Sequence, residues 1–216
     1  MKSQTARTAR RIVGILGTII LLNSAAAADR IVLAPRGLVS PPFSARIEYA
    51  VHPYIPRADI GWLNIGLPQE DLGLELELER FEVNNEARET FSFQYTFTGN
   101  GVADFAPAIS LGIRDLLRRG RELQGIFAAA TKNIGVPLAT ERTIQNLKVH
   151  IGFGTSAMDG LFAGAEAKVL GVWVGGEYLS RRFNAALAVP VFSNLALRAY
   201  TLDGSSYFGA SFSVRR

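Results

Sequence analysis

Hydrophobic and polar residues alternate along most of the chain beyond residue 58. In the run 72–78, leucine occupies every second position, with glycine or glutamate between. The run 91–98 alternates aromatic residues in the same way with serine, glutamine and threonine. Successive side chains of a β-strand point to opposite faces, so each run predicts a strand with one apolar and one polar face. Neither run has the three- and four-residue spacing of an amphipathic helix.

Short alternating segments of this kind recur, and turn signals separate several of them. These signals are Asn84-Asn85, Asn100-Gly101, Asp159-Gly160, Gly171 and Asp203-Gly204. Further strands are predicted at 59–66, 107–114, 124–132, 147–154, 161–168, 172–179, 183–190, 195–202 and 206–214, with 45–51 as an optional one. The run 113–130 also fits a helix, but we favour two strands joined by a basic turn around Gly120. One helical turn is predicted within 139–146.

These segments predict an all-β protein, namely an antiparallel β-barrel of about 10–12 strands over 58–216, of the outer-membrane type. A soluble β-sandwich is the alternative, because alternation alone suits both architectures. Strand lengths of roughly 8–11 residues match what a tilted strand needs to cross a bilayer. Aromatic residues also lie near strand ends, at Trp62, Phe81, Phe91, Trp173, Tyr178 and Tyr200. Against a membrane barrel, the sequence ends in Val214-Arg215-Arg216 rather than in an aromatic residue.

Residues 1–27 have the three parts of a secretory signal peptide. Positive charges are followed by an apolar run at 12–22 and by small residues that permit cleavage after Ala27 or Ala28. We therefore expect an exported protein of the outer membrane, with the periplasm or the cell surface as alternatives. A membrane anchor that stays attached is the other interpretation of this leader. Residues 28–57 hold five of the nine prolines and form a proline-rich N-terminal segment.

The net charge of +4 originates in the leader. Four of the 23 basic residues precede Asp29, whereas all 19 acidic residues lie at or after it, so the charges balance over the rest of the chain. This balance removes the main argument for a nucleic-acid partner. The chain has no cysteine and only His52 and His150, which excludes disulfides and thiolate metal sites and disfavours a Ser/His/Asp hydrolase. We predict no catalytic residue, cofactor or metal site.

One group of polar residues is the candidate functional site, and all its members lie on predicted strands of the C-terminal half. It comprises Arg114, Lys132, Glu166, Glu177, Asn184 and Arg198. A carboxylate inside a closed β structure must be hydrated, hydrogen-bonded or paired, and we expect Glu166 to pair with Lys132 or an arginine. The group either guides a polar polymer through a charged lumen or is an ion-pair network that fills a small barrel. A third interpretation makes Glu166 and Glu177 the acid and base of a glycoside hydrolase.

Several short motifs follow one another in order over roughly the last half of the sequence. They are GIRD at 112–115, ATK at 130–132, GFG at 152–154, DGLFAGAE at 159–166, GEY at 176–178, Asn184 and the turn at 202–204. In this order they resemble the YjbH-like family of exported β-barrel proteins associated with exopolysaccharide production. The chain departs from the family where Leu179-Ser180 follow the Glu-Tyr pair in place of Asp-Gly, and it has no cysteine for a lipid anchor.

The resemblance implies an envelope β-barrel connected with extracellular polysaccharide, and it implies no catalytic activity. We therefore expect a non-enzymatic cell-envelope protein that assists exopolysaccharide secretion or surface organisation. Outer-membrane lipid is the first expected partner, and polysaccharide and other envelope secretion proteins are further ones. A soluble periplasmic β-sandwich that acts as a binding module is the alternative, followed by an envelope glycoside hydrolase.

Overall fold

The computed structural model describes residues 32–36, 38–67, 73–83, 86–98, 106–118, 124–135, 143–158 and 160–215. Within these residues the chain forms twelve antiparallel strands in one closed barrel. The strands are β1 (Ser44–Val51), β2 (Asp59–Leu67), β3 (Gly73–Val83), β4 (Glu86–Thr98), β5 (Ala108–Arg114), β6 (Gly125–Asn133), β7 (Ile144–Gly154), β8 (Gly160–Val169), β9 (Val172–Leu179), β10 (Arg182–Pro190), β11 (Leu195–Leu202) and β12 (Ser205–Arg215). A single 3₁₀ turn, Ser156–Met158, precedes β8.

The strands follow chain order around the barrel, and β1 closes the ring against β12. In this seam Ser44 lies opposite Arg215, and Val51 lies opposite Phe208. We call the end of the barrel at Ser44 and Arg215 the terminal end. The two-residue turns at 180–181 and 203–204 lie at the opposite end, which we call the hairpin end.

The predicted fold class is confirmed, because the chain is an all-β antiparallel barrel and the strand number lies within the expected range. The soluble sandwich is wrong, since β1 and β12 pair and close a single sheet on itself. The boundary at residue 58 is also wrong, because β1 begins at Ser44 and pairs with both β12 and β2. Prolines frame this strand rather than interrupt it, since none lies between Pro42 and Pro53.

The run 113–130 has the strands that we favoured, with β5 ending at Arg114 and β6 beginning at Gly125. Gly120 itself lies outside the described residues, as do Asn84-Asn85 and Asn100-Gly101. The helical turn predicted within 139–146 is not found in its described part, which begins β7. The predicted turn at Asp203-Gly204 is confirmed, and positive φ angles of 50° and 78° give it the twist that a two-residue hairpin requires.

The barrel is apolar outside and largely polar inside. On β3, Leu78 is 42% exposed on the outer face, whereas Glu75 is 1% exposed on the inner face. The same relation holds on β7, where Phe153 is 55% exposed on the outside and His150 is buried inside. This arrangement is the reverse of a water-soluble fold and is typical of barrels whose outer face contacts lipid. No helix among the described residues is long and apolar enough to cross a membrane.

The aromatic residues near strand ends do not form one outer belt. Trp62 and Tyr200 point inward and pack against each other, with ring centroids 5.6 Å apart. Phe81 also contacts this inner cluster. Tyr178, by contrast, lies on the outer face and is 51% exposed. The sequence-based argument from strand-end aromatics was therefore partly wrong, because proximity to a strand end does not tell which face a residue occupies.

Candidate functional site

The chain preceding β1 runs through the inside of the barrel. We call residues 32–36 and 38–41 the lumen segment. Val32 packs at the hairpin end, in a buried cluster that includes Leu202 and Tyr207. At its other extremity the segment passes Gly66 at the terminal end, where a Cβ on this glycine would lie 2.8 Å from the Ser40 carbonyl oxygen. The segment therefore crosses the lumen from one end of the barrel to the other.

Glu177 on β9 holds the hairpin end of the lumen segment. Its carboxylate accepts backbone N–H groups from Val32 at 2.8 Å, Leu33 at 2.9 Å and Ala34 at 2.9 Å. Asn184 on β10 donates its side-chain amide to the same carboxylate at 2.9 Å. These donors satisfy a carboxylate that is only 1% exposed, and the carboxylate in turn accepts hydrogen bonds from backbone amides that lie outside the strands of the barrel.

Glu166 on β8 binds the middle of the lumen segment. It accepts a hydrogen bond from the guanidinium of Arg36, which is 2% exposed. Lys148 on β7 adds a second cation, with Nζ 3.2 Å from Oε1 of Glu166. His150 lies 4.0 Å from the same oxygen and shares a hydrogen bond with Thr131. Glu166 is thus the anion at the centre of a buried network that joins the segment to the wall.

Polar residues of the opposite wall hold the remaining backbone of the segment. The carbonyl oxygen of Arg36 accepts hydrogen bonds from Gln94 on β4 and from Ser110 on β5, the latter at 2.8 Å. The backbone N–H of Ser40 donates to the carboxylate of Glu75 on β3. Walls on both sides of the lumen therefore contribute side chains whose role is to replace the water that a buried backbone would lose.

Arg114 on β5 makes a further contact between this opposite wall and the lumen segment. Its guanidinium donates to the Leu33 carbonyl oxygen at 3.3 Å and to Glu79 on β3 at 2.8 Å. Glu79 accepts a further hydrogen bond from Thr90 at 3.2 Å. An arginine suits this position because its fork of N–H donors can serve a carbonyl and a carboxylate at once.

Arg198 belongs to a separate polar cluster on β1, β11 and β12. Its Nε lies 3.7 Å from Glu48 and donates to Ser211 at 3.0 Å. Glu48 is 2% exposed and also accepts hydrogen bonds from Arg46 and Tyr200. This network lies at the seam that closes the barrel, so its charges stabilise the pairing of the first and last strands.

The residues of the predicted polar group therefore lie at separate places in the barrel rather than at one site. Glu177 and Asn184 do lie together, whereas Arg114 and Arg198 pair with carboxylates that the sequence analysis did not include. The expected partner Lys132 is wrong for Glu166, because Lys132 follows the inward-facing Thr131 and so lies on the opposite face of β6. An arginine was the other expected partner, and Arg36 takes that role.

Arg36 and the backbone of 32–34 were missed by sequence reasoning. They lie in the proline-rich segment, where no alternation marks a residue as facing inward. The glutamates of β3 did indicate that polar groups lie inside the barrel. A row of carboxylates on the inner face of a closed barrel needs hydrogen-bond donors within the lumen. Donors from the lumen segment and its neighbours occupy Glu75, and Glu77 accepts the amide of Asn64 at 2.8 Å.

The geometry does not resemble a hydrolytic carboxylate pair. Glu177 is saturated with four donors, and Glu166 is paired with two cations, so neither carboxylate is available to protonate a leaving group or activate water. Among the described residues no group of three or more His, Cys, Asp and Glu is placed to hold a metal ion. The arrangement binds and positions a chain segment inside the barrel.

A closed antiparallel barrel with an apolar outer face and a polar lumen defines the class of outer-membrane-type β-barrels. No family model and no curated protein matches the chain. Among solved structures, a KdgM porin superimposes with a TM-score of 0.52 at 11% identity, over 80% of this chain and 99% of that chain. A mutant of Rh. blastica porin aligns with a TM-score of 0.38 at 7% identity, over 71% of this chain and 55% of that chain. The likeness to the KdgM porin shows the fold.

Proposed function

We propose that the protein is a non-enzymatic β-barrel of the outer membrane that assists exopolysaccharide secretion or surface organisation. The observation that carries the membrane assignment is the reversed polarity of the barrel. Large apolar side chains such as Ile151 and Leu161 are 59% and 69% exposed on the outer face, whereas charged residues fill the lumen. In water this surface would be a very large apolar patch, which soluble proteins avoid.

The lumen segment supports a closed resting state for this barrel. It is held by side chains from opposite walls of the lumen. Glu177 and Glu166 belong to one wall, and Gln94 and Glu75 belong to the other. Every one of these contacts is a hydrogen bond or an ion pair, and such contacts are exchangeable with water or with a polar ligand. A polar polymer that entered the lumen would therefore compete for the same groups.

The connection to polysaccharide rests on the resemblance to the YjbH-like family together with this polar lumen. Carboxylates, amides and guanidinium groups are the donors and acceptors that a hydroxyl-rich chain needs. An envelope hydrolase has no support in the geometry, because Glu177 accepts four hydrogen bonds and Glu166 is paired with two cations. Proteins of the secretion apparatus remain expected partners of this barrel.

Membrane fractionation with a heat-modifiability gel tests the location. The mature protein is expected in the outer-membrane fraction, and its unheated form is expected to migrate faster than its heated form because the folded barrel resists detergent. Recovery in the soluble periplasmic fraction without a heat-dependent shift would refute the membrane assignment.

Polysaccharide output tests the finer role. Cells lacking the gene are expected to release several-fold less exopolysaccharide than the parent, and a plasmid-borne wild-type gene is expected to restore it. The matched control is a plasmid encoding Leu78→Arg, which places a charge on the lipid-facing side and is expected to lower the amount of inserted barrel and to restore release only partly. Unchanged release in the deletion strain would refute the secretion role without affecting the location.

A further inference from the structure

A cavity of about 410 Å³ lies at the hairpin end of the barrel, above Leu33 of the lumen segment. We call it the vestibule. Its wall includes Phe81 on β3, Arg114 on β5 and Tyr207 on β12, and its rim includes Asp203 of the last turn. This volume lies within the range of roughly 300–1,000 Å³ that is typical of small-ligand sites. The vestibule is separate from the contacts that Glu166 makes in the middle of the lumen.

Tyr207 is the residue of the vestibule that points to a ligand. The side chain is buried, with 5% of the residue exposed, and its ring packs 6.4 Å from Phe81 and 5.4 Å from His52. Among the residues that the structure describes, none is hydrogen-bonded to its hydroxyl, and the hydroxyl oxygen is not itself enclosed by protein. Because Tyr207 lines the cavity, an occupant of the cavity can form a hydrogen bond with this hydroxyl.

The charges that line the vestibule cancel one another. Arg114 is paired with Glu79 at 2.8 Å, and Arg182 is paired with Asp203 at 2.8 Å. Among the described residues that line the vestibule, two guanidinium groups therefore face two carboxylates, so their charges balance and favour no ionic ligand. The remaining wall is mixed, with Leu33, Leu179 and Leu202 beside the aromatic rings and with the polar residues Ser180, Asn184 and Ser205.

We propose that the vestibule binds a neutral, hydroxyl-rich ligand, namely one or two sugar residues of a neutral glycan. A sugar ring has apolar C–H faces that pack on Phe81 and Tyr207, and a hydroxyl edge that bonds to the Tyr207 hydroxyl and the paired charges. This proposal rests on the proposed function and names the substrate class of the barrel. Because Leu33 forms the floor, a bound glycan contacts the lumen segment directly.

Saturation-transfer NMR on the purified full-length mature barrel tests the site. The protein is kept in lauryldimethylamine oxide, because glycoside detergents would compete for a sugar site. The probes are cellotetraose and maltotetraose, with trigalacturonate as the charged comparator. Transfer is expected to at least one neutral probe and to be weaker for the acidic one.

Two matched tyrosine variants locate the binding. Tyr207→Phe removes only the vestibule hydroxyl, and we expect it to raise the Kd of the neutral probe about 3- to 10-fold, as for the loss of one hydrogen bond. Tyr178→Phe removes a hydroxyl on the outer face and should leave the Kd unchanged. Heat-modifiability of both variants verifies that they are folded.

Three results would overturn the proposal: no transfer to either neutral probe, stronger transfer to trigalacturonate, or equal effects of the two tyrosine variants. These results are distinguishable from failure of the proposed function. If the barrel binds no sugar in vitro but deletion of its gene lowers exopolysaccharide release, the proposed secretion role stands and the proposed sugar site in the vestibule is refuted. If the barrel binds sugar but deletion of its gene leaves release unchanged, the proposed sugar site stands and the proposed secretion role is refuted.

Discussion

The carboxylate of Glu177 accepts the backbone N–H of Leu33, at 2.9 Å to Oε1 and 3.1 Å to Oε2, although 144 positions separate the two residues. This contact joins the segment before the first strand to the ninth strand of the barrel. It converts a charged side chain that would be costly inside a closed β structure into an anchor for backbone amides. The polar groups of the lumen segment and of the barrel wall thus satisfy each other's hydrogen-bonding capacity.

Removal of this anchor should destabilise the protein. Glu177→Ala leaves three backbone N–H groups and the Asn184 amide without their acceptor, and we expect the free energy of unfolding to fall by about 3 kcal/mol. Urea-induced unfolding in lipid vesicles, followed by tryptophan emission, measures the change. Glu82→Ala is the control, because Glu82 forms a partly exposed pair with Arg80 and should cost about 0–1 kcal/mol. Equal losses of unfolding free energy in both variants would contradict the role of Glu177 as an anchor of the lumen segment.

Release of the lumen segment should open the barrel. In planar bilayers we expect the wild-type protein to conduct ions poorly and the double variant Glu166→Ala/Glu177→Ala to conduct several-fold better, because both anchors on one wall are removed. Arg182→Ala at the exposed rim is the control and should behave like the wild type. A wild-type conductance already equal to that of the double variant would show that the segment does not close the lumen.

The two faces of β3 should respond differently to substitution. Leu78→Arg places a charge on the lipid-facing side and should cost about 2–4 kcal/mol of folding free energy if this position lies near the bilayer midplane. Glu77→Gln should be mild, because the glutamine oxygen can still accept the hydrogen bond from Asn64. Folding yield and unfolding free energy in vesicles compare the two. Equal tolerance would mean that the outer face does not contact lipid.

A double-mutant cycle distinguishes the observed pairing of Glu166 with Lys148 from the pairing with Lys132, which was one of the two partners expected from the sequence. Glu166→Ala combined with Lys148→Ala should cost less than the sum of the single changes, with a coupling energy of about 0.5–3 kcal/mol, because the two groups lie 3.2 Å apart. The cycle of Glu166 with Lys132 should be additive. Coupling to Lys132 and none to Lys148 would refute the pairing seen in the structure.

The seam between β1 and β12 depends on a close approach at one glycine. A Cβ at Gly209 would overlap the Tyr49 carbonyl oxygen and lie 2.6 Å from Cα of Ala50, so Gly209→Ala must displace backbone and should lower the folded yield clearly. Gly61→Ala on β2 is the matched control, since its nearest neighbours would be 3.9 Å away. A heat-modifiability gel that shows equal folded fractions for both variants would contradict this reason for the glycine.

The alternation of the sequence determined the all-β class, the positions of the strands and the two kinds of face. That information is local, because a strand turns each successive side chain to the opposite side whatever it pairs with. The run 72–78 therefore predicted leucines on one face of β3 and glutamates on the other, and Asp203-Gly204 predicted its turn. Glu177 and Asn184 were predicted to belong to one polar group because they are polar residues on predicted strands.

Only the tertiary structure decided which face was inside and which polar groups met there. Leu33 and Arg36 lie in a segment without alternation, so nothing local marks them as occupants of the lumen. Their partners Glu177 and Glu166 are more than a hundred positions away, and closure of β1 on β12 brings those walls around the segment. The pattern determines which side chains of a strand lie on each of its two faces. The partner of a buried charge depends instead on which groups the closed barrel places within hydrogen-bonding distance.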